Sequence, residues 1–160
     1  MTDNITTSVC FTGHRTIEAT KVESIKTQLH EIIENLYKEG HRSFYCGMAI
    51  GFDLLAAETL IGLKASYPDI HLPACIPFIG QESRYSAIDQ KRYHKALTSA
   101  DTHIIISHSF SKQSYLLRNI YMLEHSSIVI AYFDCSTQKG GTYFTYNKAM
   151  QMGKEVRNIF

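Results

Sequence analysis

The chain of 160 residues is most simply one domain, residues 1–160, and it is long enough to bury a core without a metal or a disulfide. Apolar residues make up 44% and charged residues 19%, which is typical of a globular protein and excludes a disordered one. The formal net charge of +1 gives little attraction for a polyanion, so we expect no nucleic-acid partner without a local basic patch.

The N-terminus and the cysteines predict a cytoplasmic protein. Residues 1–8 lack the basic region and apolar core of a signal peptide, and no apolar run approaches the about 20 residues that cross a bilayer, so we expect no membrane association. Four separated cysteines lie in or just after predicted strands and form no C-x-x-C pair: Cys10, Cys46, Cys75 and Cys135. We expect these cysteines to be small buried hydrophobic residues that form no metal site.

The first strand is predicted at Ser8–Thr12, and it runs into a turn, Gly13-His14-Arg15, with two side chains that can carry positive charge. His14 either contacts a phosphate or acts as an acid or base, or it is a structural histidine. Arg15 favours an anionic partner. Apolar residues at helical spacing predict a helix over Val22–Gly40. Thr20 and Glu23 predict a capping box at its start.

A glycine turn, Gly47-Met48-Ala49-Ile50-Gly51, joins a strand at Ser43–Cys46 to a helix at Phe52–Ala65. The first N–H groups of such a helix lack intrahelical partners, so they can receive a phosphate. The alternative is that the glycines only allow close packing of helix on sheet. Asp53, in the first helical turn, either binds a ribose or stabilises the helix dipole.

The rest of the chain alternates between strands and helices. Its predicted elements are a strand at Ile70–Ile76, a helix at Ser86–Ala100 capped by Ser86 and Asp89, a strand at Thr102–Ser107, a helix that carries Arg118 and Asn119, a buried strand at Ser127–Phe133, a helix from Gly140-Gly141-Thr142 to Gly153, and a strand at Val156–Ile159.

This alternation predicts an α/β fold, three-layer α/β/α and Rossmann-like, with a mostly parallel sheet of about six strands. Ligands of such sheets bind beyond the carboxyl ends of the strands, near the point where strand order reverses. The glycine turns at Gly13, Gly47–Gly51 and Gly140-Gly141 all follow predicted strands, so we expect them at this one edge. Their convergence predicts a ligand pocket.

The sequence contains no P-loop, no G-x-G-x-x-G, no H-E-x-x-H and no G-x-S-x-G motif. Four stretches nevertheless occur in an informative order: Phe11–Arg15, Gly47–Asp53 with Glu58, Arg118-Asn119 with Met122, and Gly140–Thr142. Together they resemble the SLOG superfamily of Rossmann-like proteins, which includes the DprA/Smf proteins, the LOG phosphoribohydrolases and the YpsA-like proteins. The resemblance is closest to the bacterial-type YpsA-like branch and covers nearly the whole chain.

The resemblance implies a pocket for a nucleotide or a nucleotide-derived ligand, with no certain cofactor beyond it. The glycines and Thr142 would offer N–H groups and a hydroxyl to phosphate or ribose, while Arg15 and Arg118 would pair with phosphate charge. It also makes a homodimer an expectation. The predicted ligand-binding residues are Gly13, His14, Arg15, Gly47, Met48, Gly51, Asp53, Arg118, Asn119, Gly140, Gly141 and Thr142.

Catalysis is left open because the sequence departs from the LOG enzymes, which are similar at an Arg-Lys pair and at P-G-G-x-G-T-x-x-E. Here Asn119 replaces that Lys, Lys139 replaces the Pro, and Thr145 stands where the catalytic carboxylate is expected. Cleavage of an N-glycosidic bond needs negative charge near an oxocarbenium-like state. Four carboxylates are candidates to supply it: Asp53, Glu58, Glu82 and Asp134.

We therefore expect a nucleotide-binding module, with a sensor role as one use of it. The alternative is a LOG-like phosphoribohydrolase, and a third reading, from the DprA resemblance, is single-stranded DNA binding. The net charge and the lack of a basic and aromatic groove argue against DNA.

Overall fold

A computed structural model describes residues 4–160 of the protein and contains six strands and five α-helices within that range. The strands are β1 Ser8–Gly13, β2 Ser43–Tyr45, β3 Pro73–Phe78, β4 Thr102–Ser107, β5 Ile128–Tyr132 and β6 Glu155–Asn158. The helices are α1 Val22–Lys38, α2 Phe52–Leu63, α3 Ala87–Ser99, α4 Lys112–Glu124 and α5 Gly141–Gln151. Each predicted element is present. The largest difference in a boundary is at the start of β3, which was predicted at Ile70, because the ladder with β4 begins at Pro73.

All strand pairs are parallel. β2, β1, β5 and β6 form a four-stranded sheet in that order, and β3 pairs with β4 in a second ladder. Two isolated bridges, Ser43 to His71 and Cys46 to Ala74, join β2 to the chain of β3. The spatial order is therefore β4-β3-β2-β1-β5-β6, and the predicted parallel α/β fold is confirmed.

Helices cover both faces of this sheet. One hydrophobic cluster lies beneath α1, α2 and α3 and includes Phe11, Phe44 and Phe52, all fully buried. A smaller cluster beneath α4 and α5 includes Met122 and Ala149. Among the described residues, no helix combines the length and apolarity that a bilayer crossing demands.

The cysteines follow the prediction with one exception. Cys10, Cys46 and Cys75 are buried, and burial raises the pKa of Cys10 and of Cys75 to about 12. Cys135 is exposed, contrary to the expectation that all four are buried, because β5 ends at Tyr132 and leaves it in the following loop.

The predicted capping box at Thr20 is wrong. A 3-10 turn at Ala19–Lys21 precedes α1, so Lys21 occupies the cap position and no side-chain hydrogen bond caps the helix. The cap at Ser86 is confirmed, since its hydroxyl oxygen accepts a hydrogen bond from the Asp89 N–H at 3.1 Å.

The chain runs outward from β1 through β2 and β3 to β4, then returns to place β5 on the other side of β1. Strand order therefore reverses between β1 and β5. In open α/β sheets the crevice beyond the carboxyl ends of two such strands is where ligands bind. This topology fixes where a site should lie.

Candidate functional site

A cavity of about 220 Å³ lies at this crevice, between the turns that follow β1, β2 and β5 and the first half of α4. Nine of the twelve predicted site residues line it: Gly13, His14, Arg15, Asp53, Arg118, Asn119, Gly140, Gly141 and Thr142. The other lining residues are Phe11, Thr12, Ala49, Tyr115 and Lys139. Residues far apart in sequence are thus brought together at the edge predicted for them.

Three predicted residues are not part of the cavity lining: Gly47, Met48 and Gly51. Met48 is fully buried with a φ of 60°, and its carbonyl oxygen accepts a hydrogen bond from the Tyr85 hydroxyl at 3.3 Å. Gly51 has a φ of +80°, and a Cβ there would lie 2.4 Å from the Arg15 carbonyl oxygen. Glycine at 51 therefore serves the close approach of two turns.

The N-terminus of α2 is largely satisfied by the chain itself. The Phe52 N–H donates to the His14 carbonyl oxygen at 3.1 Å, and the Leu54 N–H donates to the Ala49 carbonyl oxygen at 3.1 Å. Two of the N–H groups that the sequence offered to a phosphate are therefore occupied. This geometry favours the packing alternative for the central turn.

The N-terminus of α5 is open. Gly140, its cap residue, has a φ of +96° and provides no side-chain cap. A Cβ added at Gly140 would meet no atom within 4 Å, and one at Gly141 would meet only the Asn119 Nδ2, at 4.0 Å. Both glycines are exposed, so an anion can approach the start of this helix closely.

Arg118 is a fixed cation at the floor of the cavity, with only 4% of its surface exposed. Its Nη1 donates to the Gly47 carbonyl oxygen at 2.6 Å and to the Cys75 carbonyl oxygen at 3.4 Å, and its Nε donates to Asn119 Oδ1 at 2.7 Å. A Cβ at Gly47 would lie 2.7 Å from that Nη1, so glycine is needed there to admit the guanidinium.

Arg15 and Lys139 are exposed cations at the cavity mouth. The Arg15 guanidinium lies 5.2 Å from the ring centroid of Tyr115, within the range of a cation–π contact. With Arg118, three cations and one carboxylate line the cavity, which favours an anionic ligand.

Asp53 is that carboxylate, and 6% of it is exposed. Its Oδ2 accepts a hydrogen bond from the Ala49 N–H at 3.3 Å. Burial raises the pKa of Asp53 to about 6, although the positive charge of Arg118 acts in the opposite direction. The group therefore changes its charge close to neutral pH.

His14 lines the cavity and also makes structural contacts with the chain that follows β5. Its Nε2 accepts a hydrogen bond from the Asp134 N–H at 2.8 Å, and its ring packs 5.8 Å from that of Phe133. His14 and Arg15 also line a neighbouring cavity of about 360 Å³, whose wall includes Tyr132 and Phe160. The two residues thus form the partition between two cavities.

The remaining carboxylate candidates lie elsewhere. Glu58 pairs with Arg92, whose Nε lies 3.0 Å from Glu58 Oε1, and Asp134 lines the neighbouring cavity. Glu82 is outside the lining, as is Thr145, whose hydroxyl donates to the Gly141 carbonyl oxygen at 2.9 Å. Of the four carboxylates proposed from sequence, Asp53 is the one in the lining.

Five lining residues were not among the predicted site residues, and two of them, Tyr115 and Lys139, have side chains that can contact an anionic ligand or its base. Tyr115 precedes Arg118 by three residues on α4, a spacing that places both on one helix face. Lys139 directly precedes Gly140, and a cation beside a predicted helix N-terminus could have been recognised in the sequence as a candidate anion-binding residue. Gln81 lies outside the lining, and its Nε2 donates a hydrogen bond to the Gly47 carbonyl oxygen at 3.0 Å.

Solved structures share this fold. DNA processing protein A from Streptococcus pneumoniae superposes with a TM-score of 0.65 at 18% identity, covering 94% of this chain and 49% of that one. DNA processing protein A from Helicobacter pylori gives a TM-score of 0.63 at 20% identity, covering 93% of this chain and 63% of that one. At such identities the likeness concerns the fold.

Sequence relatives are closer. The UPF0398 protein BH1768 of Halalkalibacterium halodurans is 30% identical over 126 residues, which cover 75% of this chain and 65% of that protein. The chain thus spans less than two thirds of this relative. The family model described as the YspA SLOG family matches residues 9–159, which include every lining residue of the cavity. The motif order had predicted the YpsA-like branch of the SLOG superfamily, and the match confirms that the chain belongs to the YspA SLOG family.

Proposed function

We propose that this chain is a cytoplasmic module that binds a nucleotide or a nucleotide-derived small molecule. Its phosphate would lie at the N-terminus of α5. The observation that carries the proposal is the open backbone of Gly140 and Gly141 in a cavity that three cations line. A helix N-terminus offers unpaired N–H groups and a partial positive charge, and the arginines add charge-assisted hydrogen bonds.

The test is calorimetric titration and native mass spectrometry with nucleoside monophosphates, NAD and ADP-ribose. The exposed Arg15 can be changed to Gln without disturbing the core, and we expect about a tenfold loss of affinity for the bound ligand. Arg84→Gln is the matched control, because Arg84 is exposed and lies outside the cavity lining. Absence of binding by every ligand, or equal affinity of the two variants, would contradict the proposal.

Hydrolysis of a nucleotide N-glycosidic bond is a second candidate function, favoured by the presence of both Asp53 and Arg118 in the lining. A carboxylate near the sugar would stabilise positive charge as the base leaves. Chromatography of the small molecules after incubation distinguishes the two functions. An intact ligand supports binding alone, whereas a freed base that Arg118→Lys no longer releases supports hydrolysis.

Nucleic acid is not the ligand in this proposal. A single-stranded DNA binding mode is described for the Helicobacter pylori DNA processing protein A, but the net charge of this chain is only +1. DNA binding of that kind relies on a strongly basic groove. A salt-sensitive shift of oligonucleotides in a gel at low protein concentration would overturn this part of the proposal.

A further inference from the structure

Two polar atoms of residues that line the cavity floor have no hydrogen-bond partner among the described residues. Within residues 4–160, the hydrogen bonds of Asp53 use Oδ2 and those of the Arg118 guanidinium use Nε and Nη1, which leaves Asp53 Oδ1 and Arg118 Nη2 unbonded. The unpartnered side-chain atoms that are fully enclosed in that range are Gln81 Oε1 and Ser126 Oγ. Asp53 Oδ1 and Arg118 Nη2 therefore keep access to the space that their residues line.

These atoms form one end of a continuous polar wall. A Cβ at Gly47 would lie 2.7 Å from Arg118 Nη1 and 2.9 Å from Asp53 Oδ2, so the two charged groups are adjacent. Arg118 holds Asn119 through Nε, and Asn119 Nδ2 faces Gly141 at the start of α5. The wall thus runs from a helix N-terminus suited to an anion to a hydrogen-bond donor and an acceptor that lie side by side without an ion pair within 4.0 Å among the described residues.

An acceptor beside a donor matches two neighbouring hydroxyl groups, since one hydroxyl donates to the carboxylate while the other accepts from the guanidinium. We propose that Asp53 and Arg118 bind the vicinal diol of a ribose ring, so that the ligand is a ribonucleotide rather than a 2′-deoxyribonucleotide. This inference rests on the proposed function, because it requires the phosphate of the same ligand at α5.

The sizes of the two cavities agree with this assignment. Pockets that enclose a whole drug-sized ligand are commonly about 300 Å³ or more, and the floor cavity measures about 220 Å³. It holds the sugar-phosphate part of a nucleotide. The neighbouring cavity of about 360 Å³ shares the walls His14 and Arg15 with it, and its lining includes the aromatic rings of Tyr132 and Phe160.

The test compares ribose 5-phosphate with 2-deoxyribose 5-phosphate, and AMP with dAMP, by calorimetric titration of the full chain. We expect each deoxy compound to bind at least about tenfold more weakly, because it leaves a buried polar group unpaired. The 2′-hydroxyl is the one assigned to Asp53. In Asp53→Asn the Ala49 N–H retains the amide oxygen, so a neutral NH₂ group replaces the carboxylate acceptor. The charge-assisted hydrogen bond to the 2′-hydroxyl becomes a weaker neutral one, and the discrimination falls below about threefold. Glu58→Gln, a carboxylate change on the same helix outside the lining, should retain it.

The outcomes separate the two proposals. Equal affinity for ribo and deoxy compounds overturns the diol assignment and leaves nucleotide binding intact. Discrimination that persists in Asp53→Asn also overturns it. If discrimination appears between AMP and IMP but not between ribose and deoxyribose, the floor reads a base edge instead of a diol. Failure of these compounds and of the whole nucleotide panel named above to bind contradicts both the proposed function and the diol assignment.

Discussion

Gly51 and Gly62, at opposite ends of α2, have different reasons to be glycine. A Cβ at Gly51 would lie 2.4 Å from the Arg15 carbonyl oxygen in a backbone with φ +80°, whereas one at Gly62 would meet no atom within 4 Å. We expect Gly51→Ala to lower the free energy of unfolding by about 2 kcal/mol or more. Gly62→Ala should raise it by about 0.5–1 kcal/mol, since alanine favours the helix. Urea-induced unfolding measures both, and a Gly51→Ala protein as stable as wild type would contradict the close approach.

At this scale the sequence identified residues that share one cavity, and their contacts with a ligand stay a prediction. Arg15, Asp53, Arg118 and the Gly140-Gly141 pair were identified from their turns and motifs, and all of them line the cavity. The phosphate position was expected first at α2, where the His14 carbonyl oxygen occupies the Phe52 N–H. That occupation results from the packing of one turn on another, which no local pattern reveals.

The start of α3 depends on its Ser86 cap, and the start of α1 has no such cap. We expect Ser86→Ala to lower the free energy of unfolding by about 1 kcal/mol, because the Asp89 N–H loses its acceptor. Thr20→Ala is the matched control and should change it by less than about 0.5 kcal/mol. Thermal unfolding with both variants checks this, and an equal loss from Thr20→Ala would restore the capping box that the structure lacks.

Elements were predictable because each is encoded locally, by periodic apolar residues and by the glycines that end helices. Gly40 ends α1 with a φ of +106°, and the His41 N–H donates to the Leu36 carbonyl oxygen at 2.9 Å. The 3-10 turn before α1 was not predictable from the same rules. A capping motif names residues that are able to cap, while the path of the chain decides whether they do.

The stability of the whole molecule should depend on pH through Asp53. The pKa of this group is about 6 in the folded protein and near 3.8 in an unfolded chain, so the folded state binds its proton more tightly. Its contribution to stability is therefore greatest below about pH 4 and is lost as the pH rises through 6. Arg118 and Arg15 are the charged groups that oppose this shift.

We expect the free energy of unfolding of Asp53→Asn, relative to wild type, to increase by on the order of 2–3 kcal/mol between pH 4 and pH 8. The amide in Asp53→Asn does not titrate. All other acidic groups are shared by the two proteins, so their effects on the free energy of unfolding cancel in the difference. Urea unfolding at several pH values measures the difference. A difference that stays constant over this range would show that Asp53 titrates as an exposed carboxyl does.

The order of the strands could not be predicted from the sequence, whereas their number and their parallel direction could. Alternating strands and helices predict parallel pairing, but the return of the chain to place β5 beside β1 depends on contacts between distant residues. For the same reason, the contacts within the site could not be predicted from the sequence. Arg118, on α4, reaches the carbonyl oxygens of Gly47 and Cys75 only because the sheet places those strand ends beneath it.

Arg15 is exposed whereas Arg118 is buried and fixed. If the cavity binds an anion as proposed, we expect this difference to separate the rate of association from the rate of dissociation. Arg15 stands exposed at the mouth, where its charge acts over distance and is screened by salt, so it would set how fast an anion arrives. Arg118 is held by three hydrogen bonds, and we expect it to contact a bound anion only after docking, so it would set the residence time. Ionic strength would then slow association while leaving dissociation nearly unchanged.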